Sequence, residues 1–314
     1  MARKKQVVAP TPHKDRLLFF DLLKILFIAI IVYDHSQLFI LRDFNGLLFS
    51  DGWNFYNIYI NGLTGIAVYG MFFISGAVLE YSYKRVGTWE SYYTFIKNRV
   101  TRLYPAFWMS LILGLALVII TNASITAQIF VSSLPDILFE YTGYYVLLNQ
   151  GPGLINNMSW FIAAIVSIYL IFPLVSDTVR KYRIYAIVAF MIVSFSLRVL
   201  LLTYAGSIPQ DLLWRWFPLC NLFEFGLGIY IIQAGIYPKI PNTSTVLREL
   251  VDLSFYVFLF HMIVIWSVIP ILPKTGPEYI GVIAYFLMMA VMLAVCWIVM
   301  TIDKKIQKGL RQSG

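Results

Sequence analysis

Apolar residues in this chain come in long blocks, such as Leu111 to Ile120 and Ile280 to Thr301. Helices of soluble domains interleave polar residues every three or four positions, so blocks of this kind predict helices that are apolar all round and lie in lipid. A crossing needs about 20 such residues. On that length the pattern predicts eight spans, near 17–39, 58–82, 103–121, 158–176, 184–203, 213–233, 251–271 and 279–302. The stretch Ile137 to Leu148 is twelve residues long and contains Glu140, which suits a re-entrant or interfacial segment better than a crossing. One further pair of crossings is compatible with the same pattern. The expected class is therefore all-α, a polytopic transmembrane bundle of eight to ten spans.

Composition agrees with a membrane solvent. The chain has 314 residues, 60% hydrophobic and 13% charged, against about 25% charged in soluble domains. Its net charge of +8 comes with no basic arm or aromatic-basic surface, so nucleic acid is not an expected partner. Placing the N-terminus inside puts nineteen basic residues in cytoplasmic loops and tails and only Arg42 and Lys274 outside. That asymmetry predicts cytoplasmic termini. A lone crossing by Ile137 to Leu148 would move the nine loop and tail basic residues from Arg180 to Arg311 outside, and is rejected for that reason.

The basic preface MARKKQVVAPTPHKDR leads into an apolar run with no small-residue cleavage site behind it, so the run is expected to stay as a helix. The expected organisation is a tail over 1–16, one membrane domain over 17–302 and a basic tail over 303–314, in a multi-pass plasma-membrane protein. Cys220 and Cys296 both fall in apolar runs and read as small buried hydrophobes, not as a disulfide or metal ligands.

Ionisable residues within a span each cost roughly 2.5–3.5 kcal/mol on insertion scales, so each needs a reason. The first span carries Asp21, Lys24, Asp34 and His35. Asp21 and Lys24 are three apart and can pair on one face, and Lys24 can also snorkel to the headgroups. Lys24 and His35 are eleven residues apart, which returns them to one face about 16 Å apart along the axis. They can line one pathway, the lysine receiving an anion and the imidazole a proton, although a histidine there is also often a packing residue.

Further on, Arg99 and Arg102 in NRVTRLYP share a helix face, and Pro105 fits a helix's first turn. Two guanidinium forks at a helix entrance suit the phosphates of a cytoplasmic donor, and lipid headgroups equally. His261 and Glu224 are further intramembrane polar groups. Glu224 can pair with Arg198 or Lys24, or face a hydrated cavity. Asp211 and Arg215, in DLLWRWFP, can bind a sugar or serve as interface anchors beside the tryptophans.

Together these motifs resemble the membrane acyltransferase type 3 family, whose members acylate sugars and other polar acceptors. Lys24 and His35 fit its basic residue, ten positions, then histidine. FFISG, with Ser75 and Gly76, resembles its aromatic-Ser-Gly turn, and NRVTRLYP its arginine pair before Tyr-Pro. MSWFIAAIVSIYLIFPLV, with Trp160, Tyr169 and Pro173, resembles its Trp segment, and LSFYVFLFHM its late Ser and His helix. Many members carry a glutamate where this chain has Ile165 and an arginine where it has Asn98, which points to a subgroup with different acceptor chemistry.

The resemblance implies acyl-CoA, in the first instance acetyl-CoA, as co-substrate, with no tightly bound cofactor, and the residues themselves present no metal-ligand constellation, so no metal is expected. It implies a sugar or glycan acceptor within the lipid membrane. His35 is the implied base or transient acyl acceptor, with Asp34 beside it. Lys24, Arg99 and Arg102 are the implied holders of donor phosphates, and Ser75, Trp160, Glu224 and His261 the implied supporting or acceptor-binding residues. Buried charges and the Gly-rich INGLTGIAVYG also suit a transporter of lipid-linked sugars, but no inverted repeat accompanies them.

Overall fold

The structure, a computed structural model, describes residues 16–36, 61–83, 86–121, 127–148, 153–204, 217–268 and 278–312. Among the described residues every named element is helical. The α-helices are α1 (Leu18–Ser36), α2 (Asn61–Ser82), α3 (Trp89–Thr121), α4 (Ala127–Glu140), α5 (Ser159–Leu170), α6 (Phe172–Tyr182), α7 (Ile184–Tyr204), α8 (Leu222–Ala234), α9 (Thr245–Val268) and α10 (Glu278–Gln312), with 3-10 turns at Tyr145–Leu148 and Pro218–Asn221. Arg42, Asp211, Arg215 and Lys274 lie outside the described residues.

Each predicted apolar block contains a helix, but the helices differ in their fitness to cross. Among the described residues five are long and apolar enough, within α2, α3, α7, α9 and α10, and the bent pair α5 and α6 makes a sixth. Helix α1 carries Asp21, Lys24 and Asp34 in its 19 residues, and α8 has only 13. The α5–α6 pair bends by 55° at Ile171. Pro173 is the cause: it lacks the N–H that would bond back to Tyr169, and its ring crowds that carbonyl.

Helix α3 starts well before the position expected from Pro105. Its first turn is fixed by a reciprocal cap, Ser91 N–H to Thr88 Oγ1 at 3.2 Å and Thr88 N–H to Ser91 Oγ at 3.0 Å. The helix then runs through Pro105, which lies in its interior. Arg99 and Arg102 therefore sit inside a helix and not at its entrance, so the dipole offers them no help with an anion. This corrects the reading drawn from NRVTRLYP.

The contacts group the chain into two compact units, and α1, α2, α3 and α5 each have residues in both. One contains residues 1–21, 70–102 and 164–243. Its aromatic core runs from Tyr83 through Phe95 and Phe172 to Phe225, with successive ring centroids 5.0, 5.2 and 6.2 Å apart. Beside it α2 and α8 pack backbone to backbone. A Cβ on Gly76 would lie 2.1 Å from Phe225 O, and one on Gly228 would lie 2.0 Å from Phe73 O. Small residues at a crossing are how membrane helices approach closely, since lipid provides no hydrophobic drive between them.

The same unit gathers its polar groups in pairs. Glu80 is buried, and its carboxylate accepts from Arg180 Nη2 and Gln233 Nε2, each at 3.0 Å, and from Ser176 Oγ at 2.5 Å. Arg198 Nη2 reaches both oxygens of Glu224, at 2.9 and 3.0 Å, and also bonds Cys220 O. Of the partners open to Glu224 the fold uses Arg198. Asp21 accepts from Asn242 Nδ2 at 2.6 Å, in place of the expected pairing with Lys24.

The second unit contains residues 22–69, 103–163 and 244–314. Here α4 doubles back along α3. The turn after it is held by Tyr104, whose hydroxyl donates to Thr142 O at 2.7 Å, and by Trp108 Nε1, which donates to Tyr141 O at 2.9 Å. Those residues precede the end of α3 at Thr121 by roughly 20–25 Å of helix, close to the length of α4. The chain then reverses, and Ile155 packs against Gly114 while Asn156 bonds Ser110. The stretch expected to re-enter or lie at the interface is thus a helix end, a turn and a 3-10 segment.

The Gly76 contact yields a paired stability test. Gly76→Ala should cost on the order of 1–3 kcal/mol, because the obstacle is backbone and cannot rotate away. Gly65→Ala, with nothing within 4 Å of its Cβ position, should be neutral or gain up to about 1 kcal/mol from helix propensity. Thermal unfolding of the full chain in detergent, followed by tryptophan fluorescence, separates the two. Equal midpoints would contradict the close crossing.

Candidate active site

Helices α1 and α9 pack side by side in the second unit, and the polar residues of α1 decide the register. Lys24 Nζ donates to Val251 O at 3.3 Å and lies 5.8 Å from the centroid of the Phe255 ring. Eleven residues further along α1, His35 Nδ1 lies 2.7 Å from His261 Nε2. Lys24 to His35 on one helix thus matches Val251 to His261 on the other, so α1 and α9 run parallel.

The hydrogen bonds fix the imidazole tautomers. His261 is fully buried, and its Nδ1 faces two backbone carbonyls, Phe258 O at 2.7 Å and Val257 O at 3.3 Å. A carbonyl only accepts, so Nδ1 carries the proton. In neutral His261 the lone pair is then on Nε2, which accepts from His35 Nδ1–H. Neutral His35 consequently holds its own lone pair on Nε2. The rings lie nearly parallel, 6° apart, with centroids 5.0 Å apart. A carbonyl orients one imidazole, and that imidazole orients a second one, an arrangement that is chemically capable of proton transfer. Asp34, next to His35 in sequence, is buried.

Trp160 is buried near the start of α5, edge to face with Phe161, which in turn packs edge to face on Phe258 of α9. At the end of α4, bonded to the first residue of α5, lies a fully buried carboxylate. Glu140 accepts from Ile155 N–H at 2.8 Å, from Asn156 N–H at 3.0 Å and from Ser159 Oγ at 2.7 Å. Burial, the largest influence, raises its pKa, against the lowering pull of the Ser159, Asn156 and Ile155 donors.

The other residues singled out from the sequence belong to the first unit. Arg99 Nη2 donates to Tyr83 OH at 2.7 Å, and its guanidinium lies 4.9 Å from the Tyr83 ring and 6.0 Å from the Phe95 ring. Its Nε is buried without a partner, and no carboxylate among the described residues neutralises it. A guanidinium held by aromatic groups alone keeps its charge available to an anion. Arg102, one turn later, is exposed. Ser75 is half-buried on α2 beside Gly76. Glu224 is committed to Arg198.

The structure therefore joins His35 to His261 and brings Lys24 onto the same neighbouring helix. It assigns Glu224 and Gly76 to packing within the other unit. Sequence reasoning missed Asn156 and Glu80, and used Glu140 only as an argument about length. A carboxylate inside an apolar stretch was the available signal for Glu80, as it was for Glu224.

A family model described as an acyltransferase domain, that of acyltransferase type 3, matches residues 17–240. The match takes in Lys24, His35, Ser75, Arg99, Arg102, Trp160 and Glu224 and ends before α9, which carries His261. No curated protein and no solved structure matches the chain. With most of its length covered by that model and its described residues folded as helices, the chain belongs to the acyltransferase type 3 family of membrane acyltransferases.

Proposed function

We propose that this acyltransferase moves an acyl group, acetyl in the simplest case, from cytoplasmic acyl-CoA to a hydroxyl or amine of a sugar or cell-envelope glycan, with His35 as general base. The observation that carries the reading is the 2.7 Å bond between His35 Nδ1 and His261 Nε2. It leaves the basic nitrogen of His35 at Nε2. As the acceptor oxygen or nitrogen attacks the thioester carbonyl, His35 Nε2 takes its proton. The carbon–sulfur bond breaks, CoA leaves as thiolate, and the proton on His35 passes to that sulfur, which restores the neutral imidazole.

Lys24, Arg99 and Arg102 are the donor's phosphate holders in this proposal. Arg99 is the best suited of them, since it has a buried Nε and aromatic neighbours in place of a carboxylate. Asp34 supports the imidazole, and Ser75 and Trp160 support the acceptor side. Glu224, neutralised by Arg198, serves as a structural support. We place the protein in the plasma membrane with eight crossings and both termini in the cytoplasm, an arrangement supported by the basic-residue asymmetry and by the parallel course of α1 and α9.

The reading is tested with membranes bearing the full chain, radiolabelled acetyl-CoA and a cell-envelope glycan fraction. The wild type should label the glycan, and His35→Ala, at equal abundance, should lose label by about 10²- to 10⁴-fold. Equal labelling by the two would remove His35 as base. Movement of glycan across the membrane with no label in it would favour a transporter.

Arg99→Lys probes the donor contact separately. It should raise KM for acetyl-CoA by about tenfold or more with a smaller change in kcat, because a point charge replaces a planar fork. An unchanged KM would place the donor elsewhere.

A further inference from the structure

Glu80 and Tyr83 stand one turn apart at the end of α2, and the reaction scheme uses neither. We infer that Tyr83 is a positioning residue for the acyl donor: its hydroxyl aims the Arg99 guanidinium at a phosphate group of that donor. The inference rests on the reading of Arg99 as a holder of donor phosphates, and it concerns residues of the first unit alone.

The end of α2 has little freedom. Glu80 is buried and takes bonds from Arg180 and Ser176 of α6 and from Gln233 of α8, which ties that turn of the helix to two others. Tyr83 continues the helical bonding by one residue, its N–H donating to Leu79 O at 2.7 Å. Its ring is buried and meets Phe95 of α3 edge to face, with centroids 5.0 Å apart and planes at 82°. Phe95 is fully buried in turn and backed by Phe172. A phenol enclosed in this way presents its oxygen in one direction, because close packing leaves the ring no room to swing.

Arg99 lies four residues after Phe95, on the same face of α3, and its guanidinium comes to that oxygen. Nη2 donates to Tyr83 OH at 2.7 Å. A guanidinium only donates, so the phenol accepts, and being neutral it leaves the positive charge in place. Arg180 and Arg198 in the same unit are held instead by the carboxylates of Glu80 and Glu224. A carboxylate at Arg99 would orient it and also neutralise it, whereas Tyr83 orients it alone. The guanidinium is planar and rigid, so a bond at one nitrogen directs the others. Nε is enclosed, Nη2 holds the phenol, and Nη1 has no partner among the described residues and is open. Nη1 is thus the nitrogen presented to a ligand, in a direction set by Tyr83. Without the hydroxyl the ligand itself would have to order this long side chain, which weakens binding.

Initial rates of transfer by the full chain in membranes, with acetyl-CoA varied and the cell-envelope glycan fraction in excess, separate KM from kcat. Tyr83→Phe keeps the ring and its contact with Phe95 and removes the acceptor. It should raise KM for acetyl-CoA by about three- to thirtyfold and leave kcat within about twofold. Tyr83→His, with a ring nitrogen able to accept from Nη2, should raise KM by a smaller factor, and serves where Tyr83→Phe does not yield folded protein. The same order should appear in Kd for radiolabelled acetyl-CoA, a measurement that needs no acceptor. In the Arg99→Lys background, where no planar fork remains to be aimed, Tyr83→Phe should change KM little.

Wild-type KM and Kd in a folded Tyr83 variant would overturn the inference, even with a lower thermal midpoint, since that is the mark of a residue that only packs. An equal rise in KM in both backgrounds would overturn it as well. Arg99→Lys alone decides the reading beneath it. If that variant also leaves KM and Kd unchanged, the donor is held elsewhere and both fall; if it raises them while Tyr83→Phe does not, only the role of Tyr83 is lost.

Discussion

At membrane depth no water is available to satisfy a polar group, and nearly every unusual feature of this chain follows from that constraint. Each buried ionisable side chain that crosses into apolar surroundings must find its partner on another part of the chain, and finding it fixes two helices relative to each other. Glu80 ties α2 to α6 and α8 through Arg180, Ser176 and Gln233. Glu224 ties α8 to α7 through Arg198. Asp21 ties the start of α1 to Asn242. These pairs are commitments of geometry more than sources of stability, since desolvation offsets much of their attraction.

The two imidazoles are the case in which the same constraint leads to chemistry. A lone histidine in an apolar span would be free to take either tautomer. Here the backbone carbonyl of Phe258 removes that freedom from His261, and His261 removes it from His35. In the proposed reading the result is a base whose lone pair points in a direction set by two helices. Arg99 shows the opposite design, a cation with aromatic neighbours and no carboxylate among the described residues, which suits it to a mobile anion more than to a structural role.

The helices were largely legible because a run of twenty apolar residues has few alternatives. The face shared by Lys24 and His35 was legible as well, being a matter of eleven residues at the helical repeat. What faces that helix was not, since nothing in the spacing of LLFFDLLKILF indicates that Val251 and His261 lie opposite. Proline misled once, at Pro105, which suggested a helix start where the Thr88 and Ser91 cap had already begun the helix. The break that Pro173 makes between α5 and α6 falls inside the one span expected over 158–176 and was not read from the sequence. Asn156 was invisible because a single amide in a short polar stretch, GPGLINNMS, looks like a loop residue until its two helix partners, Ser110 Oγ and Leu259 O, are known.

The most direct test of the account is a double-mutant cycle on acyl transfer with His35→Ala and His261→Ala, at matched abundance in membranes. If His261 acts only by orienting His35, its replacement should lower transfer severely with His35 present and should cost little more once His35 is gone. Losses that multiply independently would contradict the coupled pair and separate the two histidines in function.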